Sequence, residues 1–411
     1  QTNDSLRIAY WGTNSMVSYP LYEFKQQHPD VEVITDFQPY TEDDPFGEAF
    51  FKRISAEVMS GNGPDIIIGK FGRMNANKMM RSGAFADLNE FLEADPEFDL
   101  SKYNANVLKA GQVEGKQYIM PLTYTIPLVL TTQEMLDKTG FDISTADNYN
   151  AFLEECLKYK QANIPGAPEL SLDYYMRPYL ADAVDYDTGE VKINTPENRE
   201  TIRLNYEAVA SLSDAEGYGR GGFYALKIFE NEAMFVQVVQ PAVIYVLSYR
   251  ALKEIGTPVM AAVRDAEGRL MAEVNEYAMI NANSPNQENA YAFLKLLMSD
   301  ENYLGISHKA SVPISNDAMH SYLEGMIGKE EKLEDLLQGG IGELETAAGL
   351  TQEEVDAYMD ILAEVDGAYI REKDVEDAHT ETIEPYYDGE TADLDGCIQN
   401  FEDKLKIIAS E

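Results

Sequence analysis

The alternation of apolar and polar positions marks out secondary structure from the start of the chain. Leu6 to Trp11 (LRIAYW) is a short apolar run, the pattern of a strand, and Leu21, Tyr22 and Phe24 then fall at helical spacing. Val31 to Phe37 alternates with period two, which predicts a second strand with Val31, Val33 and Phe37 on one face. In FGEAFFKRISAEVMSGNG, Phe50, Ile54, Glu57 and Val58 recur as on a helix, and Gly61 stops it. PDIIIG, from Pro64 to Gly69, is a continuous apolar strand of the kind buried on both faces of a parallel sheet. Strands alternating with helices predict an α/β doubly wound lobe. Ligands of such sheets bind beyond the carboxyl ends of the strands, which singles out Trp11 to Ser15 and Lys70 to Arg73.

Further along, YDTGEVKINTPENRETIRLNYEAVASL reads as a hairpin, a Thr-Pro helix start and a long helix. Asp182, Asp185 and Asp187 lack the ligand and glycine spacing of a calcium loop, so they are assigned to the hairpin turn. GYGRGGF (Gly217 to Phe223) lacks the Gly-Lys-Ser/Thr of a phosphate loop and reads as a flexible loop. RDAEGRLMA (Arg264 to Ala272) predicts a hairpin turning at Gly268. Thr351 to Glu354 is a capping box, and Val355, Tyr358, Met359, Leu362 and Val365 form the apolar face of the helix behind it.

One segment does more than predict a helix. INANSPNQENAYAFLKLLMSDE, from Ile280 to Glu301, is an extended end, a Ser-Pro-Asn turn and an amphipathic helix, with Ser284 as its candidate cap. It resembles the signature of the family 1 extracellular solute-binding proteins, the receptors that feed ABC importers, maltose- and oligosaccharide-binding proteins among them. GKQYIMPLTYTIPLVLTTQEML (Gly115 to Leu136), EMLDKTGFD (Glu134 to Asp142), SVPISNDA (Ser311 to Ala318) and the closing YYDGETADLDGCIQNFEDKLKIIASE are similar to family elements as well. FENEAMF (Phe229 to Phe235) resembles a further one, with Asn231 or Glu232 where the family carries Gly and Lys. The resemblance implies a type II periplasmic-binding-protein-like fold, α/β, with each lobe a mixed sheet flanked by helices. Residues 1–121 with 276–314 would build the N-terminal lobe, and 122–275 with 315–411 the C-terminal lobe, of which 318–411 is mostly helical. It also implies an oligosaccharide held between the lobes by hinge closure, a membrane permease as partner, a monomer, and an extracytoplasmic location as a periplasmic protein or a lipoprotein. The polar start QTNDSLRIAYW is that of a mature or trimmed export product.

Composition narrows the alternatives. With 32 basic and 72 acidic side chains in 411 residues, the formal charge of −40 repels phosphate backbones and excludes nucleic acid as a partner. The same field leaves a cationic or peptide solute as the runner-up. The most apolar window, Met234 to Leu247, is short of the ~18 residues a spanning helix needs and carries Gln237, Gln240 and Pro241. Cys156 and Cys397, far apart in helix-like stretches, read as isolated buried thiols. No histidine has metal-ligand spacing, and neither a cofactor nor a metal is expected.

A sugar presents hydroxyls and an apolar C–H face, so its pocket needs aromatic platforms and hydrogen-bonding side chains together. Trp11, the single tryptophan, is the first aromatic candidate, although a core role competes with it. Asn14 and Ser15 share its loop, where helix capping is the plain alternative. Lys70, Phe71 and Arg73 follow the third strand. Tyr124 and Thr125, at the first crossing, are expected to face the cleft, and Glu276 and Tyr277 mark the second crossing. Asp173, Tyr174 and Arg177, in DYYMRPYL, come from resemblance to a loop of related sugar receptors. Gln237 and Gln240 sit in an apolar run, where a buried amide without a partner costs about 1–3 kcal/mol. A glycoside-active enzyme using a carboxylate pair and a ligand-sensing partner of a membrane kinase are the other classes, but no motif points to catalysis.

Overall fold

The computed structural model describes residues 4–12, 15–161, 172–209, 236–238, 246–306, 311–332 and 345–410. The chain divides into two compact units, each assembled from three separate stretches. The first comprises Gln1–Tyr124, Glu273–Met319 and Gly367–Glu376, and the second Thr125–Ala272, His320–Asp366 and Asp377–Glu411.

The first unit is built on a mixed sheet. Strand β1 (Ser5–Trp11) lies between β2 (Glu32–Gln38), at the edge, and β3 (Ile66–Lys70), both parallel to it. β3 pairs antiparallel with Met271–Ile280, beside which lie Met120–Thr125 and then Val312–Pro313. Ile66, Ile67 and Ile68 are buried, as the unbroken apolar run requires of a strand covered on both faces. Helix α1 (Ser15–Gln27) follows β1, α2 (Glu48–Met59) follows β2 and the short α3 (Ala76–Arg81) follows β3. On α2, Phe50, Ile54 and Val58 are buried, joined by Phe51. Glu57, grouped with them by spacing, instead lies at the surface and accepts from Arg7 and Arg53. Phe37 is likewise exposed, at 43%, because β2 is an edge strand and its ring stacks on Tyr10.

The Ile280–Glu301 segment closes this sheet from the end opposite the loops after β1 and β3. Asn281 Nδ2 donates to the carbonyls of Asn62 and Pro64. Ser284 Oγ donates to Asp65 Oδ1 at 2.5 Å, and Asn286 Nδ2 reaches both Asp65 oxygens at 3.3 and 3.4 Å. The same carboxylate accepts the Arg7 backbone N–H at 2.6 Å, so the buried Asp65 ties the signature to β1 and to the start of β3. Ser284 therefore serves the turn, its Oγ accepting from the Asn286 N–H, while Asn286 is the residue that precedes the helix Gln287–Leu297. Phe293, Leu294 and Leu297 are that helix's buried face.

The second unit carries a three-stranded antiparallel sheet in which Leu128–Thr132 lies between Val236–Val238 and Pro258–Ala262. The helix Gln133–Thr139 ends at Gly140 in the left-handed conformation (φ 71°). The predicted hairpin is present, and Asp185 accepts from the backbone of Asp187 and Thr188, a turn role. The Thr351 capping box is complete in both directions. The Arg250 side chain, fully buried, is held by Glu331 and by the carbonyls of Lys329, Ala347 and Ala348. Both cysteines are free and buried. Among the described residues no helix is long and apolar enough to cross a membrane.

The unit division differs from the sequence reading in one substantial way. Residues 367–376, expected to lie with the rest of 318–411, belong to the first unit, where Gly367–Tyr369 joins the Met271–Ile280 strand. A three-residue strand is too short to show a period, so nothing in the local pattern announces the return.

Candidate functional site

The carboxyl ends of β1 and β3 carry the side chains that the strand-end rule singled out. Trp11 is the last residue of β1 and is partly exposed. Its indole packs against Gly47, where an added Cβ would come within 2.5 Å of the ring and where φ is +70°. Only glycine meets both conditions without strain. The indole Nε1 is buried and has no hydrogen-bond partner among the described residues. An unsatisfied buried donor costs about 1–3 kcal/mol, a cost that an arriving acceptor removes.

The loop behind Trp11 is ordered by Asp44. Its carboxylate accepts from Gln38 Nε2 at 3.0 Å and from the Glu48 N–H at 2.7 Å, joining the end of β2 to the start of α2. Phe46, 51% exposed, stands beside Gly47, and the Arg73 guanidinium lies 4.3 Å from its ring centroid.

β3 ends in a tight turn. Phe71 has φ +47° and Gly72 φ +64°, and the Arg73 N–H returns to the Lys70 carbonyl at 3.2 Å. A left-handed conformation costs a side-chain-bearing residue about 1–2 kcal/mol, and the Phe71 N–H, donating to Asn275 O at 2.9 Å, helps to hold it. Lys70 pairs across the sheet with Glu276. Its Nζ lies 3.6 Å from Glu276 Oε1 and 5.2 Å from the Phe71 ring centroid. That separation is an ion pair without a hydrogen bond. The other carboxylate oxygen, Glu276 Oε2, accepts from Thr123 Oγ1 at 3.2 Å. Among the described residues, donor positions on Lys70 and acceptor positions on Glu276 are thus left open.

Behind this pair, Tyr277 is fully buried with its ring against Gly69, where an added Cβ would come within 2.2 Å. Burial holds the Tyr277 hydroxyl well above the usual phenol range.

The predicted residues do not all converge. Trp11, Lys70, Phe71, Arg73 and Glu276 gather at these strand ends of the first unit. Ser15 belongs to the same unit as the first residue of α1, and it is exposed. Tyr124 is placed with its ring fully buried, and burial raises its hydroxyl while Asn104 opposes the shift. Strand Met120–Thr125 is buried at every position, so residue type at a crossing does not guarantee a wetted face. Thr125, in the second unit, is also buried. Arg177 is half-buried on the helix Leu172–Ala181, whose backbone also carries Asp173 and Tyr174. Gln237 is placed by its backbone opposite Val129. The side chains of Asp173, Tyr174 and Gln237, and the whole of Asn14 and Gln240, lie outside the described residues, as do Gly217–Phe223 and Phe229–Phe235. Sequence reasoning missed Phe46 and Gly47, although the Asp-Pro-Phe-Gly string marks a turn directly before a helix.

Comparison with known proteins bears on the family and the fold. Residues 13–303 match the family of bacterial extracellular solute-binding proteins. Among solved structures, the chain is similar to an ABC substrate-binding protein from Listeria monocytogenes in complex with cycloalternan (16% identity, TM-score 0.61, 99% of each chain covered). It is also similar to the cyclic alpha-maltosyl-1,6-maltose binding protein from Arthrobacter globiformis (17% identity, TM-score 0.60, 98% of each chain covered). A de novo designed cysteine esterase has the same fold too (15% identity, TM-score 0.63, 99% of this chain and 98% of that one). At such identities these structures establish the two-lobed type II binding-protein fold and nothing finer.

Proposed function

Because this chain belongs to the bacterial extracellular solute-binding proteins, we propose that it is the extracytoplasmic receptor of an ABC importer and that its solute is a neutral oligosaccharide. The observation that supports this most is the set of polar groups left open at the ends of β1 and β3. Trp11 offers an aromatic face and an unpartnered N–H, and the Lys70–Glu276 pair at 3.6 Å offers donors and an acceptor with no net charge. A sugar ring needs that combination. A charged solute would leave one member of the pair uncompensated at a largely buried position. The sugars named for the similar Listeria and Arthrobacter proteins favour the same ligand class.

Delivery to a membrane permease, action as a monomer and a place either free in the periplasm or at the cell surface as a lipoprotein belong to the same proposal. Catalysis does not. The designed esterase is a cysteine enzyme, whereas Cys156 and Cys397 here are buried and their thiols are pushed up by that burial.

A thermal-shift screen over a glycan panel tests the reading. A neutral oligosaccharide at about 100 times its Kd adds about 2.7 kcal/mol of stability, and calorimetry then gives one site without product. Stabilisation by cationic solutes or peptides alone, or turnover of a bound glycan, would replace this proposal with the corresponding alternative.

A further inference from the structure

The segment 367–376 has no place in the solute-binding reading, yet it is stitched along its length to the loops that carry the site. It enters the first unit at Gly367 and leaves after Glu376. Between those points it runs beside residues 72–77. Asn77 Nδ2 donates to the Ile370 carbonyl at 3.3 Å. Arg371 covers Gly72 so closely that a Cβ there would come within 2.5 Å of the arginine Cβ. Glu372 Oε1 accepts from the Asn77 N–H at 2.7 Å and from Asn77 Nδ2 at 2.9 Å. The Lys373 N–H points to Met74 O at 3.4 Å, and the Asp374 N–H donates to Asn75 Oδ1 at 2.9 Å.

The segment is anchored on its other side as well. Arg371 Nη2 donates to Glu376 Oε2 at 2.6 Å, and Nη1 lies 3.6 Å from Glu273 Oε1. Tyr369 donates to the other Glu273 oxygen at 3.4 Å. Lys373 Nζ reaches Glu48 Oε1 at 3.6 Å, and Glu48 directly follows the Gly47 that backs the Trp11 indole. One short stretch therefore fastens both loops of the site, the Lys70–Arg73 turn through its continuation and the Phe46–Gly47 turn through Glu48.

We propose that Ile370–Asp374 is a positioning strap for the solute site, with Glu372 as its central positioning residue. Glu372 touches no solute in this scheme. It holds the start of α3, and with it the turn that presents Lys70, Phe71 and Arg73. The part of this proposal that concerns affinity rests on the solute-binding reading; the part that concerns geometry does not.

Trp11 supplies a ligand-independent readout, because it is the only tryptophan in the chain. The experiment compares wild type, Glu372→Ala and Glu372→Gln in the full-length protein, by Trp11 emission and acrylamide quenching without solute, and by Kd for a glycan identified in the screen. In Glu372→Ala the emission maximum and quenching shift and Kd rises about tenfold, equivalent to about 1.4 kcal/mol. Glu372→Gln keeps an acceptor for Asn77 and returns both readouts to wild type. A folded Glu372→Ala protein with wild-type emission, quenching and Kd overturns the strap, even if its melting temperature falls. Should Glu372→Ala not fold, Lys373→Met takes its place: a shift of Trp11 emission supports the strap, and unchanged emission overturns it. If wild type binds no glycan, the solute class is wrong, while the emission comparison still decides the strap.

Discussion

At the scale of single residues, the site is a matter of which polar atoms are left open. Trp11→Ala removes both the platform and the unpartnered Nε1, and affinity for the solute should fall at least about tenfold, measured by calorimetry, with little change in melting temperature. Unchanged binding would remove Trp11 from the site. Glu372 makes a second prediction, about pH. Burial is the largest influence on its carboxyl and raises it to about 8; hydrogen bonds from Asn77 and the Lys78 backbone oppose the shift, and Asp374 adds to it. A raised folded-state value means that the stabilising contribution is complete below the ordinary glutamate range, near 4.5, and is lost as pH rises through about 8. The melting temperature of Glu372→Gln relative to wild type should therefore climb between about pH 4.5 and 8 and level off above. A flat difference across that window would contradict the assignment.

At the scale of elements, the family signature and the proposed site occupy opposite ends of one sheet. The Ser-Pro-Asn turn that marks the family grips Asp65 at the start of β3, while the open polar groups lie at the far end, around Lys70. Asp65→Ala strands the Arg7 N–H and the Ser284 hydroxyl, leaves Asn286 Nδ2 with Ser5 Oγ alone, and should cost about 3 kcal/mol of stability in denaturant titrations while leaving the Kd of the folded protein within about twofold. A parallel loss of affinity would show that the two ends are coupled. This separation also explains what the sequence made legible. β1, α2 and Ile66–Lys70 declare themselves because their burial follows a period or an unbroken run. The turn at Phe71 and the Gly47 contact with Trp11 depend on positive φ angles and on packing between segments distant in sequence, which no window of residues encodes. At Tyr124 the position at a crossing was readable but the enclosure of the ring was not, for a related reason. The 367–376 return was hidden because Arg371 and Glu372 look like any charged residues before a helix until their partners at Gly72 and Asn77 are known.

For the whole molecule, the formal charge of −40 has two readings, solubility or a field that draws cationic solutes, and salt separates them. If the ligand is neutral, its Kd should stay nearly constant between low salt and ~0.5 M salt, because screening acts only between charges; a steep salt dependence would favour the cationic class. The division of each unit into three stretches has a further consequence, for synthesis. When residue 124 leaves the ribosome, β3 and Met120–Thr125 already exist, but the strand that belongs between them, Met271–Ile280, lies about 150 residues downstream. At roughly 5–20 residues per second that gap lasts about 7 to 30 seconds, and two strand edges wait unpaired throughout it. The last piece of the first unit, Gly367–Glu376, emerges later still. A nascent chain whose first sheet waits for Gly367–Tyr369 keeps strand edges open through most of its synthesis, so the same topology that builds the first unit also delays its folding.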